Sequence, residues 1–158
     1  MSMQTWQNTD KSGWPDGPWM IEVDKAHWKD EATGLNCLIV RGPHGALCGY
    51  VGVPIGHPWH GVDYDYCNRA SGEYVDVHGG LTFASGCQHS GDPAKGICHV
   101  PDPGESDDVW WLGFDCAHFG DETPPRSRWD KFDGTYRDFA YVQRECASLA
   151  AQANEVSA

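Results

Sequence analysis

Apolar residues in this chain come in short runs broken by glycine and proline, and the breaks predict where elements begin and end. Residues 35 to 41, with Ile39 and Val40, and 46 to 53 flank Gly42-Pro43-His44-Gly45, which predicts an antiparallel hairpin. Gly49 and Gly52 inside the second run mark places where another group must approach the backbone closely. Alternation at 19 to 24, with Met20 and Glu22 on one face and Ile21 and Val23 on the other, predicts an earlier strand. Two aromatic stretches, starting at Tyr74 and Val109, each read as a strand running into Gly, His and Asp. The one helical stripe is C-terminal. Phe139, Val142, Cys146, Leu149, Ala150 and Ala153 recur at helical spacing and predict a helix over 136 to 153, with Thr135 and Asp138 resembling a capping box.

Between these elements the chain is loop. Residues 54 to 61 carry two prolines and two glycines, 62 to 72 are rich in acid and tyrosine, and 126 to 134 form a polar connection after Thr123-Pro124-Pro125. Residues 1 to 18, with Gly13, Pro15, Gly17 and Pro18, read as an arm pinned by Trp6 and Trp14. There is no internal repeat. The expected architecture is one α+β domain over 19 to 158: a mainly antiparallel β-sheet with long loops and a C-terminal α-helix packed on one face.

At 158 residues the chain is long enough for one core. Its net charge of -12, with basic residues scattered, argues against nucleic acid and membrane surfaces as partners and leaves a small-molecule ligand. No run approaches the roughly 20 apolar residues of a membrane helix. The start shows no basic region followed by an apolar one, so a cytoplasmic address is expected. Seven cysteines, an odd number, are then expected as thiols, with Cys87 and Cys98 the first pair to suspect of a bridge.

The candidate chemistry gathers where the two aromatic strands end. Tyr74, Asp76 and His78 share one strand face, so an Asp can orient a His; Asp115, His118 and Asp121 follow the second strand. If the strands are neighbours, these residues and Thr82 converge on one rim. Such a set suits a divalent metal held by His78, Asp115 and His118, zinc first, and equally suits metal-free acid and base catalysis. Cys87, His89, Cys98 and His99 could instead hold a structural zinc within one loop. Thr82 is a candidate nucleophile, whereas Cys116 falls on the apolar face with Phe114 and Leu112 and should be an inert thiol. Gly79 and Gly80 would let backbone amides approach a substrate. His57, Trp59, His60, Tyr64 and Trp111 could line a ligand pocket by stacking and hydrogen bonding.

Three segments, Gly52-Val53-Pro54-Ile55-Gly56-His57-Pro58, His78-Gly79-Gly80-Leu81-Thr82-Phe83 and Trp110-Trp111-Leu112-Gly113-Phe114-Asp115-Cys116-Ala117-His118-Phe119-Gly120-Asp121, together resemble hypothetical proteins of phages and prophage-bearing bacteria over about residues 35 to 150. The resemblance implies a phage-related cytosolic accessory protein. The residues themselves suggest a hydrolase or lyase acting on a small polar metabolite or nucleotide. The alternative is a non-catalytic protein that sequesters a nucleotide signal or inhibits a host protein through the same pocket.

Overall fold

A computed structural model describes residues 2 to 125 and 134 to 157, so the polar connection expected at 126 to 134 lies, except for Gly134, outside the described residues. Six strands, β1 (Gln4–Trp6), β2 (Lys25–Lys29), β3 (Asn36–Arg41), β4 (Leu47–Pro54), β5 (Phe83–Ser85) and β6 (Val109–Asp115), precede one helix, α1 (Phe139–Ser157). They form one sheet in the order β1-β2-β3-β4-β6-β5, with every neighbouring pair antiparallel. The α+β domain with a C-terminal helix is therefore as expected. No helix among the described residues is long and apolar enough to cross a membrane.

The β3/β4 hairpin forms where the Gly/Pro break predicted it, pairing Arg41 with Leu47 and Asn36 with Gly52. Both faces of these central strands are covered. On one, Val142, Cys146, Leu149, Ala150 and Ala153 of α1 pack on Ile39, Leu47, Val51, Val53, Leu112 and Phe114. Gly49 has no side chain because the Phe114 ring and the Cys146 sulfur occupy its space, 2.4 and 2.8 Å from a built Cβ. On the other face Leu38, Cys48, Tyr50, Val109 and Trp111 are covered by Cys87 and Ile97.

The earlier strand lies at Lys25–Lys29 rather than 19 to 24. Pro18 opens a 3-10 turn that buries Trp19, and the acids after it serve an ion network instead of a ladder. Asp24 accepts from Arg41 Nε at 2.7 Å, Lys11 Nζ at 3.0 Å and the amides of Asn8 and Thr9. Arg41 also meets Glu22 at 3.2 Å, and Glu22 accepts the amide of Phe139 at the helix start. Burying these charges is tolerable because each is met by hydrogen bonds. The N-terminal arm is also less irregular than expected, since Gln4–Trp6 pairs along the edge of β2, although Trp6 and Trp14 do pin it, over Lys25 and Arg41.

Residues 74 to 78 do not form the expected strand. Beyond one bridge between Asn68 and Tyr74, the segment pairs with side chains of the helix: Gln152 accepts the Asp76 amide and donates to its carbonyl, both at 2.8 Å, and Glu145 accepts the His78 amide at 2.8 Å. The helix starts later than predicted because Asp138 is itself the cap, accepting the Tyr141 amide at 2.9 Å. Thr135 instead exchanges backbone bonds with Gly120 and Glu122.

The expectation of seven thiols is corrected: Cys87 and Cys98 form a disulfide, and the other five cysteines are free and buried. Two bonded sulfurs are not thiolate ligands, and His89 is exposed near Asp107, so the four-ligand zinc loop is not assembled. Order in that loop comes from Lys25, 1% exposed, whose ammonium donates to the carbonyls of Pro93, Gly96 and Cys98 at 2.9 to 3.0 Å and approaches that of Lys95 at 3.4 Å.

Candidate functional site

At the C-terminal end of β6 the structure gathers five of the six rim residues. Asp121, its side chain 1% exposed, accepts three hydrogen bonds: from His78 Nε2 at 2.8 Å, from the His118 amide at 3.0 Å and from Arg137 Nε at 3.0 Å. Burial would raise its pKa, but the bonds from His78, Arg137 and the His118 amide outweigh this and hold it below the usual carboxylate range. Asp121 is thus an acceptor only, so His78 Nε2 carries a proton, and in the neutral ring Nδ1 accepts the Tyr141 hydroxyl at 2.8 Å. Burial raises the Tyr141 pKa, with Glu145 adding to it, so the phenol keeps its proton. A line of carboxylate, imidazole and phenol results.

A second pair lies beside the first and is partly exposed. His118 Nε2 is 3.2 Å from Asp115 Oδ1, and Asp115 is oriented by the Ala117 amide at 3.1 Å and the Thr82 hydroxyl at 3.3 Å. Angles at His118 Nε2 do not make that contact a hydrogen bond, leaving the nitrogen without a partner. The His78 and His118 rings are 6.0 Å apart, centre to centre. Gly79, at φ 68°, is required between them: a built Cβ would stand 2.3 Å from the His118 ring, so any side chain would displace the imidazole or strain the backbone.

Asp76 is outside this group; its side chain is exposed and only its backbone is held. The loop after β4 does not reach it either. His57 accepts the Trp59 amide at Nδ1 and therefore donates from Nε2 to Ala153 O at 2.8 Å, which makes it a buried link to the end of α1. Trp59 is 3% exposed, with its indole bonded to Asn68 O, and Trp111 is 0% exposed against the Cys87 sulfur. His60 lies 3.2 Å from Asp108, at the start of β6. At about 3.3 Å per residue that is roughly 20 Å from Asp115. Of the expected ligand residues, Tyr64 and Gly80 share an open groove with Tyr74, Val75 and Leu81. The Gly80 amide closes a turn onto Val77 O at 2.8 Å. Cys116 is buried as expected, and burial raises its thiol pKa.

Sequence reading missed Arg137, Tyr141, Glu145 and Gln152. Their signal was a second stripe, polar and aromatic at steps of four and seven, beside the apolar one. Among the described residues, the one group of three His, Cys, Asp or Glu side chains close enough to share a metal is Cys87, Cys98 and His99, so the expected rim set of His78, Asp115 and His118 is not gathered as ligands. No known protein family, curated protein or solved structure matches the chain.

Proposed function

We propose that the chain is a cytoplasmic, phage-related accessory enzyme, a hydrolase or lyase acting on a small polar metabolite or nucleotide by metal-free acid and base catalysis at the rim. One observation carries this reading: two histidines stand 6.0 Å apart, each against its own carboxylate. Breaking a polar bond needs a proton removed on one side and delivered on the other, and an imidazole can both accept and donate one. His118, about one-third exposed, would meet the substrate with the open side of its ring, while its buried Nε2 stands against Asp115, with Thr82 beside that carboxylate. His78 would relay a proton through the Tyr141 hydroxyl while Asp121 and Arg137 hold its tautomer. Zinc, expected from the sequence, suits the soft donors of Cys87, Cys98 and His99 rather than this rim.

The test is incubation with a pool of nucleotides and polar metabolites, read by mass spectrometry. His118→Ala and Asp115→Asn should each lower turnover about 100-fold or more with little change in melting. A ligand bound and returned unaltered by the wild type would assign a sequestering protein, and unchanged turnover in both variants would sink the rim as an active site.

A further inference from the structure

The sheet face opposite α1 carries a group that the rim does not use. The sulfurs of Cys87 and Cys98 and one ring nitrogen of His99 all lie within 4.8 Å of one another. His99 has a fully buried side chain, set edge-on to Trp111. Its Nε2 faces the Glu105 carboxylate at 3.2 Å, and the Lys29 ammonium donates to the same carboxylate at 2.7 Å. Nε2 is therefore the protonated nitrogen, and Nδ1 keeps its lone pair. That Nδ1 is buried and has no hydrogen-bond partner. An imidazole with one N–H on a carboxylate and a bare opposite nitrogen is arranged as metal-bound histidines are.

The loop also holds its shape by means other than the disulfide. The Lys25 ammonium grips three carbonyls between or at the cysteines, the Gln88 amide donates to Ile97 O at 3.1 Å, and Ile97 packs on the core of this face. Opening the bond leaves both thiols beside His99.

We infer that Cys87, Cys98 and His99 form a zinc site in the reduced protein, and that the disulfide is its closed, metal-free state. A dithiol reductant opens it: one of its thiolates attacks a cysteine sulfur, its second thiol resolves the mixed disulfide, and it leaves oxidised with Cys87 and Cys98 as thiols. Zn²⁺ then displaces two protons and is held by two thiolates and His99 Nδ1, with water in the fourth position. Peroxide reverses the step. The two thiolates give up two electrons as the S–S bond forms, the O–O bond breaks and takes two protons to leave two waters, and Zn²⁺ is released. The site shares no residue with the rim, so either reading stands without the other.

Cobalt and zinc titrations of the full chain, reduced with a phosphine or left oxidised, test this directly. Reduced protein should bind one equivalent of Co²⁺ with thiolate-to-cobalt charge-transfer absorption, and Zn²⁺ at least about 100-fold more tightly than the oxidised form in competition with a chromophoric chelator. Peroxide should release the bound Zn²⁺. His99→Ala and Glu105→Gln should each weaken zinc by about tenfold or more. Absence of the charge-transfer band in reduced protein, or equal zinc affinity in the two redox states, overturns the proposal. Neither readout needs a variant to fold.

Discussion

Replacing Asp121 by Asn removes one charge and almost no volume from the most enclosed point of the rim. Three donors converge on that carboxylate: His78 Nε2, the His118 amide and Arg137 Nε, at 2.8, 3.0 and 3.0 Å. An Asn offers one oxygen, so at best it keeps the two bonds at Oδ2 and turns its own N–H towards Arg137. Two charge-assisted bonds then become neutral ones, a loss of about 1 kcal/mol each, and the third is broken. Arg137 is partly exposed and can turn to water, which discounts the third. The expected cost is about 2 to 3 kcal/mol, read as a lower urea midpoint at pH 7. Because Asp121 is depressed in the fold, its contribution is present above the unfolded carboxylate pKa of about 3.9 and is lost as pH falls through the folded value. Wild type and variant should therefore converge in acid. A cost below about 0.5 kcal/mol at pH 7, or curves that stay parallel into acid, would refute the assignment of Asp121 as the charged anchor of both histidines.

Three further outcomes are expected. Leu149, 0% exposed on the sheet-facing side of α1, should cost about 2 to 5 kcal/mol when cut to Ala in urea unfolding, and no measurable change would remove α1 from this face. Thiol titration of denatured, unreduced protein should find five thiols, rising to seven after reduction; seven at the outset would mean that the bridge is not formed. Burial depresses the pKa of His44 and of His57, so both are neutral in the fold while the unfolded chain binds protons below its pKa of about 6.5. Stability should hold above that value and fall as pH drops from 6.5 towards 5, and a flat urea midpoint across that window would contradict it.

Local pattern was enough for the parts of this protein whose partners are close in the chain or whose burial imposes a period. The β3/β4 hairpin follows from a Gly/Pro break between two apolar runs, and the α1 core face follows from 3.6-residue spacing; neither depends on knowing what lies opposite. The meeting of His78, Thr82, Asp115, His118 and Asp121 was expected only if 74 to 78 were a strand beside the second aromatic run; that strand does not form, Asp76 stays outside, and the segment is held in place by Gln152 and Glu145 instead.

Tertiary structure decided what the same residue types do when their partners are remote. Three histidines separate by surroundings: His57 spends both nitrogens on backbone, His118 keeps Nε2 buried and unpartnered in the rim, and His99 keeps Nδ1 buried and unpartnered in a ring that lies close to two sulfurs. Segment 74 to 78 has the alternation of a strand, yet its backbone groups are met by Gln152 and Glu145, 76 and 67 residues away. Lys25 is buried because the carbonyls of a loop some 70 residues on close around its ammonium. A short-range pattern records which residues must be buried. It cannot record which distant donor answers a given lone pair, because hydrogen bonds are specified by geometry between elements and leave no period along the chain.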